Sequence, residues 1–228
     1  MKTLNDFFDH IYCINLDRRT DRYEECLKEF QKINITVERV SAIDGKPIFK
    51  EGLNLNAGNY GLFLTQKKIL QDAIDHNYKN FLMLEDDVTF NNNINERFFE
   101  KIKALPEDWD FLYLGGNNVF YKGTFRLITG DLNFKVAKEN YKSLDYELCK
   151  TTWTQCAHAI AINSKFYDTL MTTMINNSTM AGDMIHPMLQ QQGCNAYTFL
   201  PSLALQRAGF SDIDNVFWDH NIYDANSF

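Results

Sequence analysis

A chain of 228 residues that is 45% hydrophobic and 23% charged can bury one sizeable core and does not have the composition of a disordered segment. A formal charge of −7 argues against a general nucleic-acid binder, which needs an excess of Lys and Arg, but leaves room for one local basic cluster. The 5 cysteines, an odd number with no CxxC pair, point to reduced thiols in a cytosol-like compartment and away from a zinc site. The segment Met1 to His10 has no apolar h-region, and no run of about 18 apolar residues is present, so neither a signal peptide nor a spanning helix is expected.

Ile11 to Leu16 is an apolar, β-rich run and is expected to be the first strand. Asp17-Arg18-Arg19-Thr20-Asp21-Arg22 follows as a loop, and Tyr23, Cys26, Leu27, Phe30 and Ile33 then recur with helical period. Three arginines thus sit beside a helix N-terminus, which favours anions, and arginine matches phosphate with paired hydrogen bonds. A solvated charged turn capped by Asp17 or Thr20 explains the same residues. Thr36 to Val40 alternates like a strand and closes in the turn Ser41 to Gly45. Asp44 could hold a ribose hydroxyl there, although Asp-Gly is also an ordinary turn. Lys46 to Leu55 is expected to be a loop, with Gly58 to Gly61 preceding a helix from Leu62 to Asn77.

Phe81-Leu82-Met83-Leu84 reads as a strand buried on both faces, and Glu85-Asp86-Asp87 arrive together at its end. Ligands of open α/β sheets bind outside the carboxyl ends of strands, so these acids fall at the expected mouth of a site. A hard divalent cation bridging to a diphosphate would compensate their mutual repulsion; a solvated acidic turn is the plainer reading. Asn91 to Lys103 is expected to be a helix, and Trp109 to Leu114 a strand stopped by Gly115-Gly116. Val119 to Lys150 has no sustained period and is expected to hold hairpins and loops. Thr151 to Ile162 returns to a buried strand, with His158 a packed core histidine, and Ser164 is expected to cap the next helix. Asp183 falls where a helix N-cap would. Ala196 to Leu200 reads as a strand closed by Pro201, and the tail beyond Ser202 could cross the site mouth.

Together these residues resemble the family 25 glycosyltransferases, which include lipooligosaccharide and collagen hydroxylysine galactosyltransferases. The matching pieces are Ile14 to Arg22, Ala42-Ile43-Asp44-Gly45, Gly61 opening a helix, Leu84 to Val88, Ala157 to Ile162, Asp183, and Pro201 to Ile213. One departure stands out: the helix after Gly61 usually opens with Cys and carries Ser-His, whereas this chain has Leu62 and Thr65-Gln66.

The resemblance implies an α/β fold of the GT-A type: a Rossmann-like, mixed, mostly parallel sheet flanked by helices in a single domain. Residues 1–118 would form a donor-binding half and 119–228 an acceptor half. It further implies a nucleotide-sugar donor, often UDP-galactose, a glycan or protein acceptor, inversion at the anomeric carbon, and a divalent metal, Mn²⁺ or Mg²⁺. Donor contacts would come from Asn15, Leu16, Arg18, Arg19, Arg22, Asp44, Gly45, Glu85 and Asp86. Asp87 would ligate the metal, with Glu85 and His220 as further ligands, although an exposed terminal histidine is the plainer reading of His220. Asp183 would be the base that takes the acceptor proton. Two rivals are weighed: a nucleotidyltransferase, which would place a glycine-rich loop after the first strand, and an inactive glycosyltransferase-like binding or scaffold protein.

Overall fold

The computed structural model describes residues 2–49, 55–118, 125–127 and 147–219. The N-terminal half contributes strands β1 (His10–Asn15), β2 (Glu38–Ser41), β3 (Asn80–Glu85), β4 (Val88–Phe90) and β5 (Phe111–Asn118). The C-terminal half adds β6 (Phe125–Leu127), β7 (Glu147–Thr151), β8 (Thr154–Asn163), β9 (Ala196–Leu200), β10 (Ala204–Gln206), β11 (Gly209–Phe210) and β12 (Phe217–Trp218). The helices are α1 (Thr20–Lys32), α2 (Ala57–Asp75), α3 (Ile94–Lys101), α4 (Tyr167–Asn176) and α5 (Gly182–Gln191).

Eight strands join in one mixed sheet, ordered β2-β1-β3-β8-β5-β9-β7-β6. Pairing directions make β7 and β8 run against the other six, so the sheet is mostly parallel in sense. The period of two along each strand builds a core on both faces. Ile11 and Cys13 of β1, with Leu82 and Leu84 of β3, face the layer of α1 and α3, where Cys26, Phe30 and Phe98 pack. Tyr12, Ile14, Phe81 and Met83 face the opposite layer, which α2, α4 and α5 fill with Phe63, Leu70, Leu170 and Ile185. Each such large side chain contributes roughly 1.5–3 kcal/mol by leaving water.

Several boundaries differ from the sequence reading, each for a local reason. The first turn of α2 begins at Ala57, so Gly58 and Gly61 lie inside the helix, and Asn56 caps it by accepting from Asn59 N at 2.8 Å. β5 does not stop at Gly115-Gly116 but runs through them to Asn118, its pairing with β8 shifting register twice; glycine-bearing bulges bend a strand without ending it. Asn163 rather than Ser164 caps the segment before α4, its side chain accepting from Lys165 N. Neither Asp17 nor Thr20 caps α1: the N-cap residue is Arg19 and no side chain bonds there. Asp17 instead accepts from Arg39 at 2.7 Å and Ser41 at 2.8 Å. β8 inserts between β3 and β5, so both halves of the chain share the sheet. His158 is 4% exposed, packs against Gly115 and bonds Ala204 O, the core histidine expected from its small-residue run.

Candidate active site

β1 and β3 lie side by side in parallel, with Ile14 opposite Glu85, so their carboxyl ends open into the same space. A cavity of about 380 Å³ occupies that position. Asn15, Leu16, Arg18, Arg22, Asp44, Gly45, Glu85, Asp86, Asp87 and Asp183 all line it. Arg19 stands behind that wall and bonds Asp212, which does line it. His220 lies outside the described residues.

The three acids have distinct surroundings. Arg22, in the first turn of α1, forks across two of them, with Nε 2.7 Å from Asp86 and Nη2 2.7 Å from Asp87. Asp86 also accepts from Asn15 Nδ2 at 2.7 Å. The rest of the Asn15 amide is committed to Arg19 O and Arg39 Nε, so Asn15 holds the loop in place. Asp87 Oδ1 is buried and has no hydrogen-bond partner among the described residues. Burial, then the charges of Asp87 and Asp86, push Glu85 up to about 8, with Arg22 opposing. Burial also raises Asp86, against Arg22 and Asn15. From the far side Arg207 fastens the acidic turn, donating N–H to Asp87 O at 2.7 Å and Nη2 to Asp86 O at 3.1 Å.

The opposite wall is the turn Ala42 to Gly45 seated on α2. Thr65 Oγ1 accepts from Ile43 N at 2.9 Å and donates to Gly61 O at 2.8 Å. A Cβ on Gly45 would overlap Ala57 O, and one on Gly61 would overlap Ile43 O. The two backbones touch, which only glycine permits. Asp44 pairs with Arg18 and accepts from Lys46 N at 3.1 Å.

Asp183 does not cap α5. The N-cap residue is Ala181, with no side-chain cap bond, and Asp183 faces the cavity, its carboxyl raised above its ordinary value by burial. Gln66, at the position that departs from the family pattern, is 4% exposed against Gly182, and neither amide atom has a partner. Among the described residues no three His, Cys, Asp or Glu side chains converge as a ready-made metal cluster.

The family model described as glycosyltransferase family 25 (LPS biosynthesis protein) matches residues 8–204. The chain belongs to that family. The procollagen galactosyltransferase 2 of Mus musculus is 26% identical over 162 residues, 62% of this chain and 26% of that protein. The inactive glycosyltransferase 25 family member 3 of Homo sapiens is 30% identical over 133 residues, 49% of this chain and 22% of that protein. These alignments therefore span about a quarter of the relatives' length. The crystal structure of a glycosyltransferase involved in glycosylation of the major capsid of PBCV-1 shares the fold, with TM-score 0.50 and 10% identity over 96% of this chain and 97% of that one.

Within this family 25 chain, one site residue had been given no role by the sequence reading. Cys156 of β8 lines the cavity with φ 55° and accepts from Asn117 Nδ2 at 3.3 Å. Burial pushes its thiol well up. No local pattern marks Cys156, since a bulge brings it there. Gly209, Ser211, Asp212, Ile213, Asp214 and Trp218, in the tail expected at the site mouth, also line the cavity, with Asp212 paired to Arg18 and Arg19. Their signal was the stretch Ser211-Asp212-Ile213, which lies beyond the residues matched by the family model.

Proposed function

We propose that the chain transfers a hexose, galactose in the first instance, from a UDP-linked donor to a hydroxyl of a glycan or protein acceptor, with inversion. The observation that carries this reading is the convergence of Glu85, Asp86, Asp87 and Asp183 on one cavity at the carboxyl ends of β1 and β3. The N-terminal turns Leu16 to Arg22 and Ala42 to Gly45 would hold the donor, and Asp183 lies on an element from the acceptor half. In the transfer, an acceptor hydroxyl oxygen bonds to the anomeric carbon as the bond from that carbon to the diphosphate oxygen breaks. Asp183 accepts the hydroxyl proton, and its raised affinity for protons makes it a better base than an exposed carboxylate.

A divalent cation fits this donor set. Among the described residues the buried Asp87 Oδ1 lacks a partner, burial and the neighbouring charges of Asp87 and Asp86 raise Glu85 despite Arg22, and Mn²⁺ or Mg²⁺ takes oxygen ligands, with Mg²⁺ characteristically using one or two carboxylates plus substrate phosphates. Asp87 and Glu85 would hold it, and it would neutralise charge on the leaving diphosphate.

A donor screen tests the reading. UDP-, GDP-, CMP- and ADP-sugars are titrated with and without Mn²⁺ while thermal stability is followed, for wild type and Asp87→Asn. One nucleotide class should stabilise the wild type by about 2.7 kcal/mol at a hundredfold excess over its dissociation constant, with the metal-dependent part lost in the variant. No shift with any donor sinks the proposal. One observation favours a second reading, donor binding without transfer: the unpartnered Gln66 amide beside Gly182 stands where the family carries His. Donor binding with no turnover on any acceptor would select it.

A further inference from the structure

The hairpin from Gly209 to Trp218 spans the cavity mouth as a strap. β11 and β12 pair through Gly209–Trp218 and Phe210–Phe217. Its turn is closed by Ser211 N to Val216 O at 2.8 Å and by Asp214, which accepts from Trp218 Nε1 at 3.0 Å. On one side it rests on α2, where a Cβ at Gly58 would lie 2.7 Å from Ile213 Cα. On the other side it is tied to the arginines of the β1–α1 turn. Asp212 Oδ1 accepts from Arg18 Nη2 at 3.0 Å, Asp212 Oδ2 from Arg19 Nη1, and Phe210 O from Arg22 Nη1 at 3.3 Å. The Asp212 side chain is only 20% exposed.

These ties use the very groups that a diphosphate would need. A carboxylate presents two oxygens to arginine as a phosphate does, and Asp212 reaches across to both guanidinium groups from a segment nearly two hundred positions away in sequence. Asp44 and Asp21 occupy further donors of Arg18 and Arg19, so with the strap down Arg18 presents no bare positive charge to the cavity and Arg19, just outside the lining, is fully paired. We propose that Asp212 is an internal stand-in for a donor phosphate and that the strap is a latch: diphosphate and Asp212 compete for Arg18 and Arg19, and donor binding releases the strap. The proposal rests on the reading of the cavity as a nucleotide-sugar site. It gives Asp212 a role in selectivity, because only an anion with enough charge to replace it gains entry.

The experiment compares wild type and Asp212→Asn, which is nearly isosteric, by titration with UDP, inorganic pyrophosphate and uridine. Loss of one charge-assisted competitor should tighten UDP and pyrophosphate about tenfold in the variant, with uridine binding unchanged. In the wild type, UDP should speed amide hydrogen exchange across 209–218. A structural or lid-like Asp212 gives the opposite signs: equal or weaker UDP binding in the variant, or slower exchange in the strap when UDP binds the wild type. Either result overturns the latch while leaving the nucleotide site intact. Failure of both proteins to bind UDP or pyrophosphate overturns the latch together with the nucleotide-sugar reading. Should Asp212→Asn fold poorly, the wild-type exchange measurement decides alone.

Discussion

Replacing Arg22 by Gln separates a working electrostatic clamp from an incidental surface contact. The Arg22 side chain is 15% exposed, and the Asp86 and Asp87 side chains that it joins are 13% and 16% exposed. Removing one partner of a buried ion pair costs roughly 3–5 kcal/mol, because the remaining charge is left uncompensated. The residual exposure, and the bond Asp86 keeps with Asn15, place the expected loss at the lower end, about 3 kcal/mol. In a chain of this size that lowers the melting temperature by about 6–12 °C. The contrast is Lys28→Gln, which breaks the exposed Lys28–Glu25 pair and should leave stability essentially unchanged. Urea unfolding of both variants, with and without Mn²⁺, measures the difference. If a cation can share the acids, Mn²⁺ restores more stability to Arg22→Gln than it adds to wild type. A loss below about 1 kcal/mol, the range of surface pairs, would refute the clamp.

Asp183→Asn should lower turnover by about 10²–10⁴-fold, the usual contribution of a general base, while UDP binding by calorimetry stays at the wild-type value; unchanged turnover would mean another group takes the proton. Thr65→Val removes the acceptor of Ile43 N and should cost about 1–3 kcal/mol in urea unfolding, together with weaker UDP binding as the Asp44 turn loosens. His186 is buried against Phe111, and burial lowers its folded value from 6.5 to about 4. The unfolded chain therefore binds the extra proton between those limits, so stability is full above pH 6.5 and falls as pH drops towards 4. At ~1.4 kcal/mol per unit the loss is about 3 kcal/mol, and a parallel series with His186→Gln should lack that share of the acid destabilisation.

The parts of the fold that sequence made legible are those whose evidence is local. β1, β3 and β9 are runs of side chains buried on both faces, and such runs have one economical interpretation in an α/β chain. The misplaced boundaries involve residues whose usual local meaning was overridden by a distant partner. Gly58 and Gly61 were expected to precede α2, yet they lie within it, where Ile213 and Ile43 approach too closely for any side chain. Gly115-Gly116 read as a stop, yet β8 continues to pair beyond them. Asp183 read equally as a cap and as a base, and of the two the cap is excluded, since Ala181 holds that position while Asp183 lines the cavity. In each case a propensity was weighed correctly and tertiary contact decided otherwise.

The site is only partly legible for the same reason, and its charge balance shows what sequence spacing cannot. Glu85-Asp86-Asp87 announced acids at a strand end, but Asp44, Asp183, and Asp212 with Asp214 join them from three other segments. Against these acids the cavity wall offers Arg18, Arg22 and Lys46. Arg18 already pairs with Asp44 and Asp212, and Arg22 with Asp86 and Asp87. A diphosphate entering such a wall meets repulsion unless the balance changes as it arrives. Adding a cation at Asp87 and Glu85 is one route, and withdrawing Asp212 to free donors on Arg18 and Arg19 is another. The routes differ in their ion dependence. Cation entry makes donor affinity rise with Mn²⁺ concentration, whereas withdrawal of Asp212 is favoured by moderate salt, which screens its pairing with the more exposed Arg18. Titrating UDP across both variables would therefore apportion the donor's electrostatic compensation between metal and strap.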